Sequence, residues 1–279
     1  MAADIPIFHI ASFSRSGETL LLRTLAVHSR VEVVHNLFDS DSPEDLRLVK
    51  LLKSWSPTAI PSDHPLLGHR HVGPHTVLVL KNAVWEHDSP FQGLILVRNP
   101  FSVIASTGVA EDLVPEKRRV KVDRWCSNID PAMFGYLSTQ DNLTAFCLLY
   151  ARKMAALHAT GLPIVHYERL VRRPRGLLGK ICRHLSIGWE PQLMKAHSRY
   201  PEGQRGHGRI VLSDPIHCES LQKHKRLPED TLYRIYGLTS VIFKLYGYEV
   251  SADLSVSVRE DFKDRFRRPS RAKRGRAEP

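Results

Sequence analysis

The 279-residue chain reads as an α/β domain with a central parallel sheet of about five strands flanked by helices. Three observations predict this class. Short apolar β-prone runs recur: IFHIASF at 7–13, VEVV at 31–34, TVLVL at 76–80, GLILV at 93–97 and LPIVHY at 162–167. The continuously apolar ones suit strands covered on both faces. Helical periodicities alternate with the runs, and the first run gives way to a helix across a glycine turn, which is how a βαβ unit begins. No repeat of solenoid period is present.

The elements follow in order. Ser14-Arg15-Ser16-Gly17 breaks the first strand, and Leu20, Leu21, Leu25 and Val27 mark a helix from Thr19 to about His28. VEVV is the second strand. Ser42-Pro43-Glu44-Asp45 supplies an N-cap residue, a proline at the first helical position and an acidic first turn. That helix runs to Trp55, with Leu48, Leu51 and Leu52 at helical spacing. Residues 56–75 carry four prolines and the histidines His64, His69, His71 and His75, and read as a loop. TVLVL and GLILV are buried-type strands, the latter ended by Arg98-Asn99-Pro100, where a helix opens. Asp141 begins a long helix stopped by Gly161; residues 162–167 form a further strand and 174–185 a further helix. The stretch 188–230 reads as irregular, and 228–246 as the closing helix.

Composition narrows the function classes. Hydrophobic residues are 42% and charged residues 25% of the chain, which excludes wholesale disorder. No apolar run has the ~18 residues of a membrane span, and Met1–Pro6 lacks the basic and apolar regions of a secretory signal. The net charge is +11, of which residues 265–279 contribute +6. A domain over 1–258 followed by a basic, disordered tail over 259–279 is therefore expected. That tail is either an electrostatic arm for an anionic partner or a solvated extension. Basic and aromatic residues do not interleave outside it, so a nucleic-acid partner is not expected. Cys126, Cys147, Cys182 and Cys218 form no C-x-x-C pair. Cys147 and Cys182, inside apolar helical patterns, are expected to be buried free thiols, and a cytoplasmic location is expected.

In open parallel sheets, ligands bind at the carboxyl ends of the strands. The first such end is Ser14-Arg15-Ser16-Gly17-Glu18-Thr19. A helix N-terminus attracts oxyanions, Gly17 permits close backbone approach, Ser16 and Thr19 carry hydroxyls, and Arg15 is a fixed cation. The loop lacks the lysine and first glycine of G-x-x-x-x-G-K-[ST], which argues against an ordinary ATP or GTP site. A plain capped turn is the competing reading of this loop alone.

Two further segments join it. FSRSGETLLLRTL resembles the loop that holds the 5′-phosphosulfate in sulfotransferases dependent on 3′-phosphoadenylyl sulfate (PAPS). LILVRNPFSVIAS at 94–106, an apolar strand followed by Arg98 and, eight residues on, Ser106, resembles their 3′-phosphate segment. IVHYERLV at 164–171, with Pro174 and KICRHLSI at 180–187, resembles their Y-E-x-L segment and its helix. The order and spacing agree over about residues 6–250. The resemblance implies a three-layer P-loop-like fold and transfer of a sulfuryl group from PAPS to a hydroxyl or amine acceptor, whether glycan, small molecule or protein, without a metal. By position, Arg15, Ser16, Gly17, Glu18 and Thr19 would hold the 5′-phosphosulfate, Arg98 and Ser106 the 3′-phosphate, and Tyr167 would lie near the adenine. Arg205, in a stretch without the usual R-K-G-x-x-G, is the candidate for a late nucleotide loop. Glu18 departs from the commoner Thr or Asn, and its carboxylate is expected to turn outward toward Arg23 or Lys81.

Displacement at sulfur requires a cation at the leaving oxygen and a base for the acceptor's proton. Arg15 and Lys81, at the end of TVLVL, suit the first task. His35, just past VEVV, suits the second, because a neutral imidazole accepts a proton near pH 7. Counted without gaps from the R-S-G loop, His35 falls where the tyrosylprotein branch of the family carries a catalytic Glu. Glu86 and His87 are its rivals. The histidine-rich loop has no regular ligand spacing, so no metal site is expected. A nucleotide-binding or regulatory protein of the same fold, without turnover, is the alternative function.

Overall fold

The computed structural model describes residues 3–34, 43–55, 58–68, 70, 72–73, 75–82, 92–109, 131–206 and 210–266. Strand β1 (Asp4–Ser12) leads through helix α1 (Glu18–Leu25) to β2 (Val31–Val33). Helix α2 (Pro43–Trp55), β3 (Ala59–Pro61), β4 (Val77–Asn82) and β5 (Gly93–Val97) follow. Then come α3 (Pro100–Ala105), α4 (Pro131–Leu137), α5 (Asn142–Ala159), β6 (Ile164–His166), α6 (Tyr167–Arg172) and α7 (Pro174–His184). The small hairpin of β7 (Arg205–Gly206) and β8 (Ile210–Val211) precedes α8 (Glu229–Leu245) and a closing hairpin of β9 (Tyr248–Val250) and β10 (Val256–Val258).

The parallel sheet has the order β2-β4-β1-β5-β6. Strand β1 lies at its centre because it is apolar on both faces: Ile7, Ile10, Ala11 and Phe13 are all fully or almost fully buried. On one face α3, α5 and α8 enclose Phe13, Phe146, Tyr150 and Phe243. On the other, α1 and α7 enclose Ile10, Leu21, Leu22, Val165 and Leu178. A third cluster, with Leu48, Leu52, Ile60 and Leu80, seals the edge under α2. The architecture is therefore the three-layer α/β class, with a sheet of five parallel strands. Asp141 caps α5 as its position foretells, accepting from the amides of Leu143 (3.1 Å) and Thr144 (3.2 Å).

Several details differ from the sequence reading. The 56–75 loop contains β3, which adds antiparallel to the start of β1 with Ile5 opposite Ile60, and a 3₁₀ turn at Pro65–Leu67. Three residues ending in a proline are too few to display a strand period. The irregular stretch 188–230 holds 3₁₀ segments at Pro191–Arg199 and Glu219–Arg226. The packed body also extends past residue 258. The Phe262 ring lies 5.1 Å from His166, and Asp264 accepts from the Ile164 amide (2.8 Å) and pairs with Lys180 (2.5 Å). Arg265 donates to the His158 carbonyl (2.8 Å). Two phenylalanines four residues apart anchor this segment, and the surrounding charge hides them in the sequence. Residues 267–279 lie outside the described part. Cys147 and Cys182 are buried, and burial pushes the Cys147 thiol up to about 12 and that of Cys182 to about 11. No helix among the described residues is long and apolar enough to cross a membrane.

His166 closes β6 inside the protein, where its Nε2–H donates to the Tyr246 carbonyl (2.7 Å). Burial lowers its pKa to about 4. The folded chain therefore refuses a proton that the unfolded chain accepts near pH 6.5, so stability is intact above that pH and falls as pH drops toward 4. The difference is worth about 3 kcal/mol once both states are protonated. Urea titrations at pH 7 and pH 4 should show this loss, and His166→Gln should reduce it.

Candidate functional site

The loop between β1 and α1 is built on two left-handed residues, Arg15 (φ 77°) and Gly17 (φ 103°). At position 17 glycine is required twice over. An L side chain rarely adopts that φ, and a Cβ there would lie 2.3 Å from the Tyr167 ring. Gly17 is the N-cap of α1 and has no side-chain cap of its own. The first turn of the helix thus faces the loop with its positive end.

Parallel strands deliver the other groups to the same edge. Lys81 lies opposite Ile10 near the end of β4, Arg98 follows β5, and Tyr167 follows β6. The chain at Arg98 is held from both sides. Tyr150 Oη donates to the Arg98 carbonyl (3.0 Å), and Glu168 accepts from the Asn99 amide (2.9 Å) and from Tyr248 Oη (3.0 Å). Burial raises the pKa of Glu168, opposed by these hydrogen bonds and by Arg98. The Arg98 guanidinium sits 4.6 Å over the Tyr167 ring. Its Nη1 donates to the Arg15 carbonyl (3.2 Å) and its Nη2 to the Ser220 carbonyl. Tyr167 Oη is 2.6 Å from Ser220 Oγ.

These groups surround a cavity of about 570 Å³, a size typical of small-ligand sites. Of the residues expected from sequence, Arg15, Gly17, Glu18, Thr19, Lys81, Arg98, Ser106 and Tyr167 line it. Ser16 is fully buried behind the lining, and its Oγ has no partner among the described residues. Ser106 Oγ donates to the Ser102 carbonyl (2.6 Å). Arg205 is an exposed residue of the β7–β8 hairpin, paired with Val211, and is not among the residues lining the cavity. The two-residue strands of that hairpin carry no sequence signal that fixes which side chain faces inward. His35, Glu86 and His87 lie outside the described residues.

The Glu18 side chain departs from the expected direction. Its carboxylate does not turn toward Arg23 or Lys81. It accepts from Ser12 Oγ (2.8 Å) and from the Gly17 amide (3.2 Å), and is buried. As the first residue of α1 it finds its nearest donors in its own turn, while Arg23 is engaged elsewhere.

The sequence reading missed Arg23, Ser220 and Lys223, all at the cavity. Arg23 is four residues past Thr19 and so shares its helix face, which was the available signal. It is buried, donates to the carbonyls of Val211 (2.9 Å) and Leu212 (2.7 Å), and its pKa is lowered by burial. Lys223 has a pKa lowered first by burial, then by Arg98, Arg15 and Arg226. A surplus of positive charge thus converges on the cavity, with Nε of both Arg23 and Arg98 buried and without a partner among the described residues. Such a site is suited to a polyanion. No group of three or more His, Cys, Asp or Glu side chains among the described residues is placed to hold a metal ion.

No family model matches the chain, and no curated protein matches it. Solved structures similar to it include the sulfotransferase domain of the curacin biosynthetic pathway (18% identity, TM-score 0.46, covering 86% of this chain and 99% of that one). The sulfotransferase domain of the Synechococcus PCC 7002 olefin synthase is 19% identical (TM-score 0.48, 86% and 95%). Mouse sulfotransferase SULT7A1 complexed with PAP is 10% identical (TM-score 0.42, 86% and 88%).

Gly17→Ala should destabilise the chain by about 2 kcal/mol or more, combining left-handed strain with the collision at Tyr167. Calorimetry with inorganic pyrophosphate should show binding weakened at least tenfold. A variant that melts and binds like the wild type would refute this account of the loop.

Proposed function

We propose that this protein is a sulfotransferase that moves a sulfuryl group from PAPS to a hydroxyl or amine acceptor by in-line displacement. One observation carries the reading: four neighbouring parallel strand ends bring Arg15, Lys81, Arg98 and Tyr167 around a single cavity. Two arginines from different strand ends therefore stand at one anion-binding site, as a ligand phosphorylated at two positions demands. The unpartnered buried donors Arg23 Nε and Arg98 Nε fit the same ligand class, as does the gathering of cations around Lys223.

In this reading Arg15, Ser16, Gly17 and Thr19 hold the 5′-phosphosulfate, Arg98 and Ser106 the 3′-phosphate, with Lys223 added to that pole, and Tyr167 flanks the adenine. PAPS supplies the activated sulfuryl group. Arg15 and Lys81 neutralise charge on the departing oxygen, since cations placed where charge develops lower the barrier. His35 takes the acceptor's proton. The acceptor is a hydroxyl-bearing glycan, small molecule or protein.

A non-catalytic nucleotide-binding protein is the second reading, and the Glu18 carboxylate on the Gly17 amide favours it. Incubation with PAPS and a panel of hydroxyl acceptors separates the two. Acceptor-dependent release of PAP supports transfer, whereas PAPS binding without release supports the alternative. A chain that binds neither PAPS nor PAP overturns both. Arg98→Ala should weaken PAPS at least tenfold more than adenosine 5′-phosphosulfate, which lacks the 3′-phosphate; equal losses on the two donors would refute its assignment. His35→Ala should abolish the fall in rate below about pH 6.5 that protonation of the base produces. An unchanged pH–rate profile would transfer that role to Glu86 or His87.

A further inference from the structure

We propose that Glu18 is the specificity-determining residue of the cavity, a charge filter that favours a sulfuryl over a phosphoryl group at the loop. The proposal rests on the reading of this loop as the seat of the phosphosulfate. Glu18 is only 4% exposed, yet it borders the cavity together with Arg15, Thr19 and Lys81. Its two oxygens are fixed separately, one by Ser12 Oγ (2.8 Å) and one by the Gly17 amide (3.2 Å). Arg23, on the same helix, is committed to the backbone carbonyls of Val211 and Leu212 and does not pair with it. A fixed negative charge therefore sits within the anion cradle and already uses one of its backbone donors.

Such a charge costs the loop affinity for any anion, but not equally. A terminal sulfuryl group carries one negative charge. A terminal phosphoryl group carries between one and two near pH 7, because its second pKa is about 6. The repulsion from Glu18 scales with that charge in a partly desolvated site. The cradle thus retains the donor with the less charged end and rejects its diphosphate counterpart, a distinction that shape alone draws poorly because sulfate and phosphate are both tetrahedral and nearly equal in size.

Calorimetry on the full chain tests this with PAPS, with adenosine 3′-phosphate 5′-diphosphate (its phosphoryl counterpart), and with inorganic pyrophosphate. The wild type should prefer PAPS over the phosphoryl counterpart by at least tenfold. Glu18→Gln retains an oxygen for the Gly17 amide and an N–H for Ser12 Oγ while removing the charge. It should shrink that preference at least fivefold and tighten pyrophosphate at least tenfold. Glu18→Thr, whose smaller side chain leaves the loop's amides open, should shift both quantities the same way, and melting curves establish that each variant is folded. Parallel weakening of all three ligands would mark Glu18 as a brace for the loop and overturn the filter. A wild type that binds PAPS but shows an unchanged preference on substitution also overturns the filter and leaves the sulfotransferase reading standing. If the wild type binds neither nucleotide, yet Glu18→Gln tightens pyrophosphate tenfold, the filter stands and the sulfotransferase reading falls.

Discussion

The buried Glu168 carboxylate, bonded to the Asn99 amide and to Tyr248 Oη, is the constraint on which the site's geometry turns. A carboxylate in such surroundings is costly unless its oxygens are satisfied, and here both are. In return it fixes the chain at the point where β5 becomes α3, while Tyr150 fixes the preceding carbonyl. Arg98 leaves the sheet in one direction only. Tyr167, the residue before Glu168, does a matching task for the neighbouring strand: its ring fills the space a side chain at position 17 would take and forms the floor under the Arg98 guanidinium. Two successive residues at the end of β6 thereby set the loop after β1 and the arginine after β5 relative to each other.

The segment that covers the cavity is held by the same chemistry. Arg23 grips its start through the carbonyls of Val211 and Leu212, and Arg98 grips it again at Ser220. Both arginines spend part of their hydrogen-bonding capacity on backbone and leave Nε unmatched. Positive charge at this site is consequently both a means of attracting an anion and a means of keeping the wall of the cavity in place. Lys223, at the end of that wall, has its pKa lowered first by burial and then by the neighbouring arginines.

Much of this was legible in the residues. TVLVL and GLILV are strands because nothing polar interrupts them, and Asp141 and Pro100 announce the helices they open. The loop at 14–19 was marked by its place at a strand end, and Arg98 and Tyr167 were joined to it through the resemblance of their segments to those of PAPS-dependent sulfotransferases. What escaped depends on contacts remote in sequence or on single rotamers. Strand β3 exists only because Ile60 finds Ile5. The 259–266 segment packs through Phe262 and Phe266, which a run of charges conceals. The direction of the Glu18 side chain is decided by a choice among donors, Ser12 Oγ and its own turn against distant cations, and no pattern of residue types encodes that choice. The placement of Arg205 outside the cavity lining was hidden for a related reason, since two-residue strands leave the facing of a side chain to their neighbours.

The Arg98 guanidinium meets two carbonyls belonging to different segments and an aromatic face at once. Only a planar group with several N–H donors has the reach and flatness for three such obligations. A lysine would bring the same charge as a point, with no plane to lie on the ring and no fork to span the gap. Position 98 is accordingly closed to the exchange of one basic residue for another, and the loop and the covering wall would drift apart together if it were made.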